Sequence, residues 1–329
     1  MNNDSIVIRP GALGDAVLTL PVLLALRAEG ARRTVVLGHP ANWRWLSPLD
    51  DTVTIADWNG SEWLGLFSPD VDLAESARRQ LEGIPRALVY LRSGAEVAAD
   101  ALGETGVGHV LTALPPTWPE HPDEAGDERH AAERLLSPLG ERAITLADLN
   151  AGQSDEPLLK VTDDERATAL ASVGLDRPPA EGFFAIHPGS GGESKCWPFE
   201  CFLELLQRVA ERSPMQPLVF VGPVELERMG NAVEKLSQET CVARSLPLRQ
   251  VMALLSMARI FIGNDAGITH LAGRCCPTIQ LFGATRPYRW KALGPDVTVI
   301  EAPQHDLAQL TVDAVWSCDR MDGMFFRQD

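Results

Sequence analysis

Residues 5–30, SIVIRPGALGDAVLTLPVLLALRAEG, decide the fold. Ser5 to Arg9 is a short, β-branched run and reads as a strand. Two glycines, Gly11 and Gly14, then allow a tight turn and close approach of a ligand to the backbone. A helix follows from about Gly14 to Glu29, with Leu20, Leu23, Leu24 and Ala28 on helical spacing. Gly30 closes it, as glycine does after a helix. A strand, a glycine turn and a helix make the opening unit of a parallel α/β sheet.

Outward from this unit the alternation continues. Thr34–Leu37, Arg86–Tyr90 and Gly106–Val110 read as further strands, with helical segments between them. Thr112–Asp127 and Asp148–Pro157 are rich in Pro, Gly and acids and read as loops, as does Asp176–Glu181. The pattern then restarts. Strands are expected at Gly182–Ile186, Leu218–Val221, Ile260–Ile262, Thr278–Phe282 and Val297–Ile300. Helices are expected at Pro198–Arg212, Glu225–Leu236, Leu248–Met257 and Gly267–Gly273, with a last amphipathic helix at Leu307–Trp316. The expectation is two Rossmann-like, doubly wound parallel-sheet domains facing across a cleft. Their bounds are 1–165 and 166–305, and 306–329 forms a closing helix and tail that is free to cross back to the first domain. Ligands in such sheets bind outside the carboxyl ends of the strands.

A chain of 329 residues suits two such domains. Its 45% apolar residues supply both cores. The formal net charge of −16 repels nucleic-acid phosphates and argues against a nucleic-acid partner. The six cysteines all lie in the second half and form no C-x-x-C pair, and no histidines cluster at ligand spacing, so no metal site is expected. Adjacent Cys275 and Cys276 are poorly placed to bridge each other. Buried thiols in a reducing compartment are the expectation. The longest apolar stretch, Ala16–Leu26, is shorter than the ~20 residues of a membrane span. The opening Met-Asn-Asn-Asp-Ser lacks the basic segment of a secretory signal. The chain is expected in the cytoplasm, with peripheral contact at the membrane face left open.

Three constellations follow predicted strands. In the first, Arg9-Pro10-Gly11-Ala12-Leu13-Gly14-Asp15, Asp15 lies in the first helical turn. It reads either as a helix-capping carboxylate or as a general base. The second is His187-Pro188-Gly189-Ser190-Gly191-Gly192-Glu193-Ser194-Lys195-Cys196-Trp197-Pro198. Glycine backbone, a hydroxyl, a lysine and a helix start together suit a phosphate, although the Walker Gly-Lys-Ser/Thr ending is missing. The alternative is an ordinary βα turn. In the third, Gly263-Asn264-Asp265-Ala266-Gly267-Ile268-Thr269-His270, Asp265 and Thr269 suit a second anion or a ribose. Asp265 also reads as a helix cap, and His270 as a packing histidine. Phe282-Gly283-Ala284-Thr285 lines the same edge.

The order and spacing of these motifs resemble glycosyltransferase family 9, the lipopolysaccharide heptosyltransferase family, from residue 6 to about 290. The resemblance rests on Ile8-Arg9-Pro10-Gly11-Ala12-Leu13-Gly14-Asp15, on His187-Pro188-Gly189 with Lys195-Cys196-Trp197-Pro198, and on Gly263-Asn264-Asp265-Ala266-Gly267 with His270-Leu271-Ala272 and Leu281-Phe282-Gly283-Ala284-Thr285. It implies a GT-B fold and an inverting, metal-independent glycosyltransferase that needs no cofactor. The enzyme would move a hexose or heptose, classically from ADP-heptose, to a hydroxyl of a saccharide or glycolipid acceptor such as lipopolysaccharide core. Carried across, Asp15 is the general base and Lys195 neutralises the diphosphate. Gly189 and Ser190 assist, Asp265, Gly267 and His270 hold the phosphates and neighbouring sugar, and Glu225 lies at the ribose, with Glu227 as its competitor. Arg9, Gly14, Trp43 and Arg44 fall on the acceptor side, where a packed loop is the competing reading for Asn42–Leu46. Ala266 departs from the usual Thr or Ser and removes a hydroxyl. Two other readings are a non-catalytic nucleotide-sugar-binding member and another GT-B enzyme such as a nucleotide-sugar epimerase. A dinucleotide oxidoreductase is disfavoured, because no G-x-G-x-x-G follows the first strand.

Overall fold

The computed structural model describes residues 2–117, 126–140, 157–236 and 240–321. These residues form two compact units, divided at Lys160 with 157–159 on the first side. Most of the expected loop at Asp148–Pro157, and residues 118–125 of Thr112–Asp127, lie outside the described residues.

In the first unit β1 (Ser5–Ile8) leads into α1 (Leu13–Ala28), β2 (Thr34–Gly38) and α2 (Pro40–Trp43). β3 (Val53–Asp57), α3 (Glu75–Leu81), β4 (Arg86–Tyr90), α4 (Ala95–Glu104), β5 (His109–Ala113) and α5 (Ala131–Leu136) follow. The sheet order is β3-β2-β1-β4-β5, and every pairing is parallel. Central β1 is buried on both faces, which is why Ser5–Ile8 reads as a run without alternation. Almost all of α1 from Ala16 to Leu26 is buried, and it tolerates Pro21 in its interior. Gly30 takes φ +91° just after this helix, a conformation that favours glycine. Ile6, Ile8, Val35, Leu37, Ala87 and Val89 meet the helices and Trp63 in one core.

The second unit starts at α6 (Asp163–Ser172), whose Thr162 hydroxyl caps Glu165 N–H at 3.2 Å. β6 (Phe183–His187), α7 (Phe199–Arg212), β7 (Gln216–Val221), α8 (Pro223–Leu236), β8 (Cys241–Arg244) and α9 (Leu248–Leu255) follow. The chain continues through β9 (Ala258–Asn264), α10 (Gly267–Cys275), β10 (Thr278–Phe282), α11 (Pro287–Trp290), β11 (Val297–Glu301) and α12 (Val312–Trp316). The parallel order is β11-β10-β9-β6-β7-β8. Read from β6 this is the Rossmann order, and the strand order reverses between β6 and β9. α7 buries Phe202, Leu205, Leu206 and Val209, spaced to form one stripe against the sheet. Each such side chain contributes about 1.5–3 kcal/mol of transfer free energy.

The expected helix at Leu307–Trp316 is two pieces, a single turn at Leu307–Gln309 and α12. Leu307, Leu310, Val312, Val315, Trp316 and Met321 pack into the second unit's own core, so this segment closes that unit. Arg212 also lies over the Trp316 ring at 5.3 Å. No helix among the described residues is long and apolar enough to cross a membrane. All six cysteines are free. Only Cys276 is classed as buried and the others are partly so, yet burial still pushes the Cys275 thiol up to about 12.

Candidate active site

In the first unit the chain leaves β1 through Arg9 and turns at Pro10-Gly11 into α1. Asp15 is the third residue of that helix. Its Oδ2 accepts the Ala12 N–H at 2.9 Å, which satisfies a backbone donor that the helix start would otherwise leave open. Its Oδ1 accepts from Arg9 Nη2 at 2.6 Å. Arg9, expected on the acceptor side, is 4% exposed and turned onto Asp15, because a buried guanidinium requires a charged partner. A Cβ on Gly11 would come within 2.8 Å of Asp15 Oδ2, so glycine makes room for this carboxylate. Asn42 Nδ2 fastens the turn by donating to the Gly11 carbonyl at 2.7 Å.

Trp43, expected on the acceptor side, is fully buried and stacks on Trp45 with centroids 6.3 Å apart, so these two indoles pack as core and offer no open face to an acceptor. Gly38 lies directly beneath the Trp43 ring, where a side chain would overlap it. Arg44, just after α2, is exposed, and Gly14 is half-buried in the first turn of α1.

In the second unit the loop after β6 and the turn after β9 meet at the point where strand order reverses. Asn264, fully buried, joins them. Its Oδ1 accepts the Trp197 N–H at 2.9 Å, and its Nδ2 donates to the Pro188 carbonyl at 2.8 Å. Ser190 Oγ donates to the Asp265 carbonyl at 2.7 Å, so its proton holds the loop closed. Lys195 Nζ reaches Asp265 Oδ2 at 3.3 Å, and His270 Nε2 lies 3.4 Å from Asp265 Oδ1. Burial works to raise the Asp265 pKa, but His270, Lys195 and the nearby Thr285 hydroxyl outweigh it and hold the carboxyl below its ordinary value.

A carboxylate kept charged repels a phosphate. Asp265, expected from sequence to help hold the phosphates and neighbouring sugar, here fixes the Lys195 ammonium and the His270 imidazole. One polar atom here is buried without a hydrogen-bond partner, His270 Nδ1. Orphans of this kind mark a place where a ligand or water completes the bonding. Gly267 opens α10, and Ala266 at its cap offers no side-chain bond.

Glu225 is the third residue of α8, and its Oε2 accepts the Gly222 N–H at 2.8 Å. It is buried beside Gly189 of the loop after β6, while the alternative Glu227 is exposed. Its other oxygen occupies the space a side chain at position 189 would fill, so Gly189 is required there. His187 sits beneath, with Nδ1 3.0 Å from the Phe220 carbonyl. A carbonyl only accepts, so Nδ1 carries the proton. Burial lowers the His187 pKa, against the opposing pull of Glu225 and Phe220.

The second-unit candidates Gly189, Ser190, Lys195, Glu225, Asp265, Gly267 and His270 therefore line one sheet edge, behind β7, β6 and β9. Three contributors carried no role from sequence. Asn264 and Thr285 are inside the quoted motifs but are ordinary polar residues until their partners are seen. Gln280, within β10, donates to Asp265 Oδ1 at 3.4 Å and has no motif around it. Among the described residues no group of three or more His, Cys, Asp or Glu is arranged to hold a metal ion.

Residues 124–314 match the family model described as glycosyltransferase family 9 (heptosyltransferase). Lipopolysaccharide heptosyltransferase 1 of Pseudomonas aeruginosa is 30% identical over 305 residues, covering 86% of this chain and 79% of that protein. The protein of the same name from Escherichia coli O18:K1:H7 is 28% identical over 163 residues, covering 44% of this chain and 50% of that relative. The chain thus spans about half the length of the E. coli relative in that alignment. Among solved structures, E. coli ADP-heptose lps heptosyltransferase II shares the fold with a TM-score of 0.69 at 21% identity, covering 96% of each chain.

Proposed function

The chain belongs to glycosyltransferase family 9, the heptosyltransferase family, and on that premise we propose that it is an inverting glycosyltransferase of lipopolysaccharide biosynthesis using ADP-heptose as donor. The observation that carries this reading is the cluster around Asp265. One buried carboxylate holds Lys195 and His270 at the switch point, with Glu225 one strand further along. Lys195 meets the diphosphate and Glu225 the ribose hydroxyls. Asp15 takes the proton of the acceptor hydroxyl as that oxygen forms its bond to the anomeric carbon. The bond from that carbon to the diphosphate breaks, and its electron pair leaves on the phosphate oxygen. A single displacement inverts the anomeric centre through an oxocarbenium-like state. The leaving group needs charge stabilisation more than a proton, and Lys195 supplies it. The proposed acceptor is a saccharide or glycolipid hydroxyl, and the proposed setting is the cytoplasm, at or near the membrane face. We propose no metal or cofactor for the reaction.

Differential thermal stability in ADP, UDP, GDP and CMP, each with EDTA or magnesium, tests the donor site. ADP at a hundred times its Kd is expected to stabilise the protein by about 2.7 kcal/mol, with or without metal. Stabilisation by UDP and none by ADP replaces the nucleotide, and no response to any of them overturns the reading. NMR of the product then checks inversion, and retention of the donor's anomeric configuration rejects Asp15 as the base of a single displacement.

A further inference from the structure

Behind β10 and β11 lies a structured corner that the cluster around Asp265 does not use. Arg286 Nη1 donates to His305 Nε2 at 2.5 Å. Arginine has no acceptor, so Nε2 must be the unprotonated nitrogen of that ring. His305 and its neighbour Gln304 hold φ of +58° and +53°, a conformation that non-glycine residues avoid. The turn is pressed into place from below. A Cβ on Gly283 would come within 2.8 Å of Leu307 Cγ, and Leu307 is buried in the core. Strain of this kind persists only where surrounding packing imposes it, and it gathers at ligand sites. Among the described residues no carboxylate pairs with Arg286.

The strand order says what this arginine faces. Along the sheet edge, Glu225 follows β7, Lys195 follows β6, Asp265 follows β9, and Arg286 follows β10. Adjacent strands are about 4.8 Å apart, so the loops carrying these groups leave the sheet edge side by side. Thr285, next to Arg286, lies close enough to the Asp265 carboxylate to favour its charge, which joins the corner to the cluster. Lys195 is shared with Asp265, so by itself it offsets only part of a diphosphate carrying two or more negative charges. A donor laid along this edge with its ribose at Glu225 brings the phosphate distal to the ribose toward β10.

We propose that Arg286, held by His305, binds the sugar-bearing phosphate of the donor and stabilises the charge that gathers there as the sugar leaves. This rests on the donor reading above. Arg286 contacts the ligand; His305 is a positioning residue that acts through it.

The test measures ADP and AMP affinity of the full chain by competition against a fluorescent ADP analogue, with the melting temperature of each free variant as a folding check. Arg286→Ala is expected to weaken ADP about tenfold or more and AMP by less than about twofold, since AMP lacks the distal phosphate. Arg286→Lys keeps part of the ADP affinity, and His305→Ala falls between wild type and Arg286→Ala. In turnover, Arg286→Ala lowers kcat as well as raising the donor KM. Equal losses for ADP and AMP, or no loss for either, overturn the assignment. Loss of ADP binding in Lys195→Ala but not in Arg286→Ala overturns this inference alone. A wild-type protein that binds no ADP overturns the donor reading and this inference with it.

Discussion

Burial holds the His187 pKa below its ordinary value. Its lowered pKa has a consequence for stability that can be given a sign. The unfolded chain titrates this histidine near 6.5, whereas the folded protein resists the proton to a lower pH. The contribution of His187 is therefore whole above pH 6.5 and is lost as pH falls from there through the folded value. The loss is at most about 1.4 kcal/mol per pH unit. Urea unfolding at pH 7.5 and pH 5.5 should show a larger drop for wild type than for His187→Gln. Equal drops would place the acid sensitivity elsewhere. Asp265 acts in a separate window: its lowered pKa contributes stability above about 3.8 that is lost only below that value.

The element that matters most for the site is the loop between β6 and α7. It contains no regular structure beyond a single turn at Glu193–Lys195, so its shape depends on its fastenings. Asn264 supplies the central one. Asn264→Ala leaves the buried Trp197 N–H and the Pro188 carbonyl without partners, at about 2–3 kcal/mol of stability. Chemical denaturation checks the figure, and a loss below about 1 kcal/mol would mean that Ser190 and the Trp197 indole, which donates to the Leu310 carbonyl at 2.8 Å, hold the loop unaided. The central elements were legible in the sequence because they are buried on both faces. β1, β6 and β10 appear there as short stretches dominated by apolar residues, within a residue of their observed bounds. The edge strands β3 and β8 were not. Val53–Asp57 is half-exposed and Cys241–Arg244 has four residues, so neither carries the apolar run that betrays a central strand. In the site, glycines and charges at strand ends stood out, whereas Asn264, Gln280 and the inward turn of Arg9 depend on partners far away in sequence. The burial of Trp43 depends on Gly38, a pairing that no local pattern announces.

At the scale of the whole molecule the chain is two units, each with its own sheet. Every residue assigned to the donor lies beyond Lys160, in a unit with its own six-stranded sheet and its own core. α6 belongs to that unit, tied by the Glu165 pair with Arg249 at 2.6 Å. Residues 160–329 expressed alone are therefore expected to fold and to bind ADP within about threefold of the whole chain, a difference below about 1 kcal/mol, while transferring nothing. Calorimetry on the fragment decides it, and a soluble, folded fragment without ADP affinity would show that the first unit contributes donor contacts.

Asp15 and Glu225 share one feature, each being the third residue of its helix and closing the first turn through a backbone N–H. A carboxylate used in this way is under two kinds of selection at once, one for chemistry and one for the start of a helix. In a duplicated gene released from the need to transfer sugar, the second would persist. Lys195 and Arg286, which start no helix, would drift first. Among descendants of such a gene, the fate of the cations therefore records whether the reaction is still in use more faithfully than survival of the proposed base.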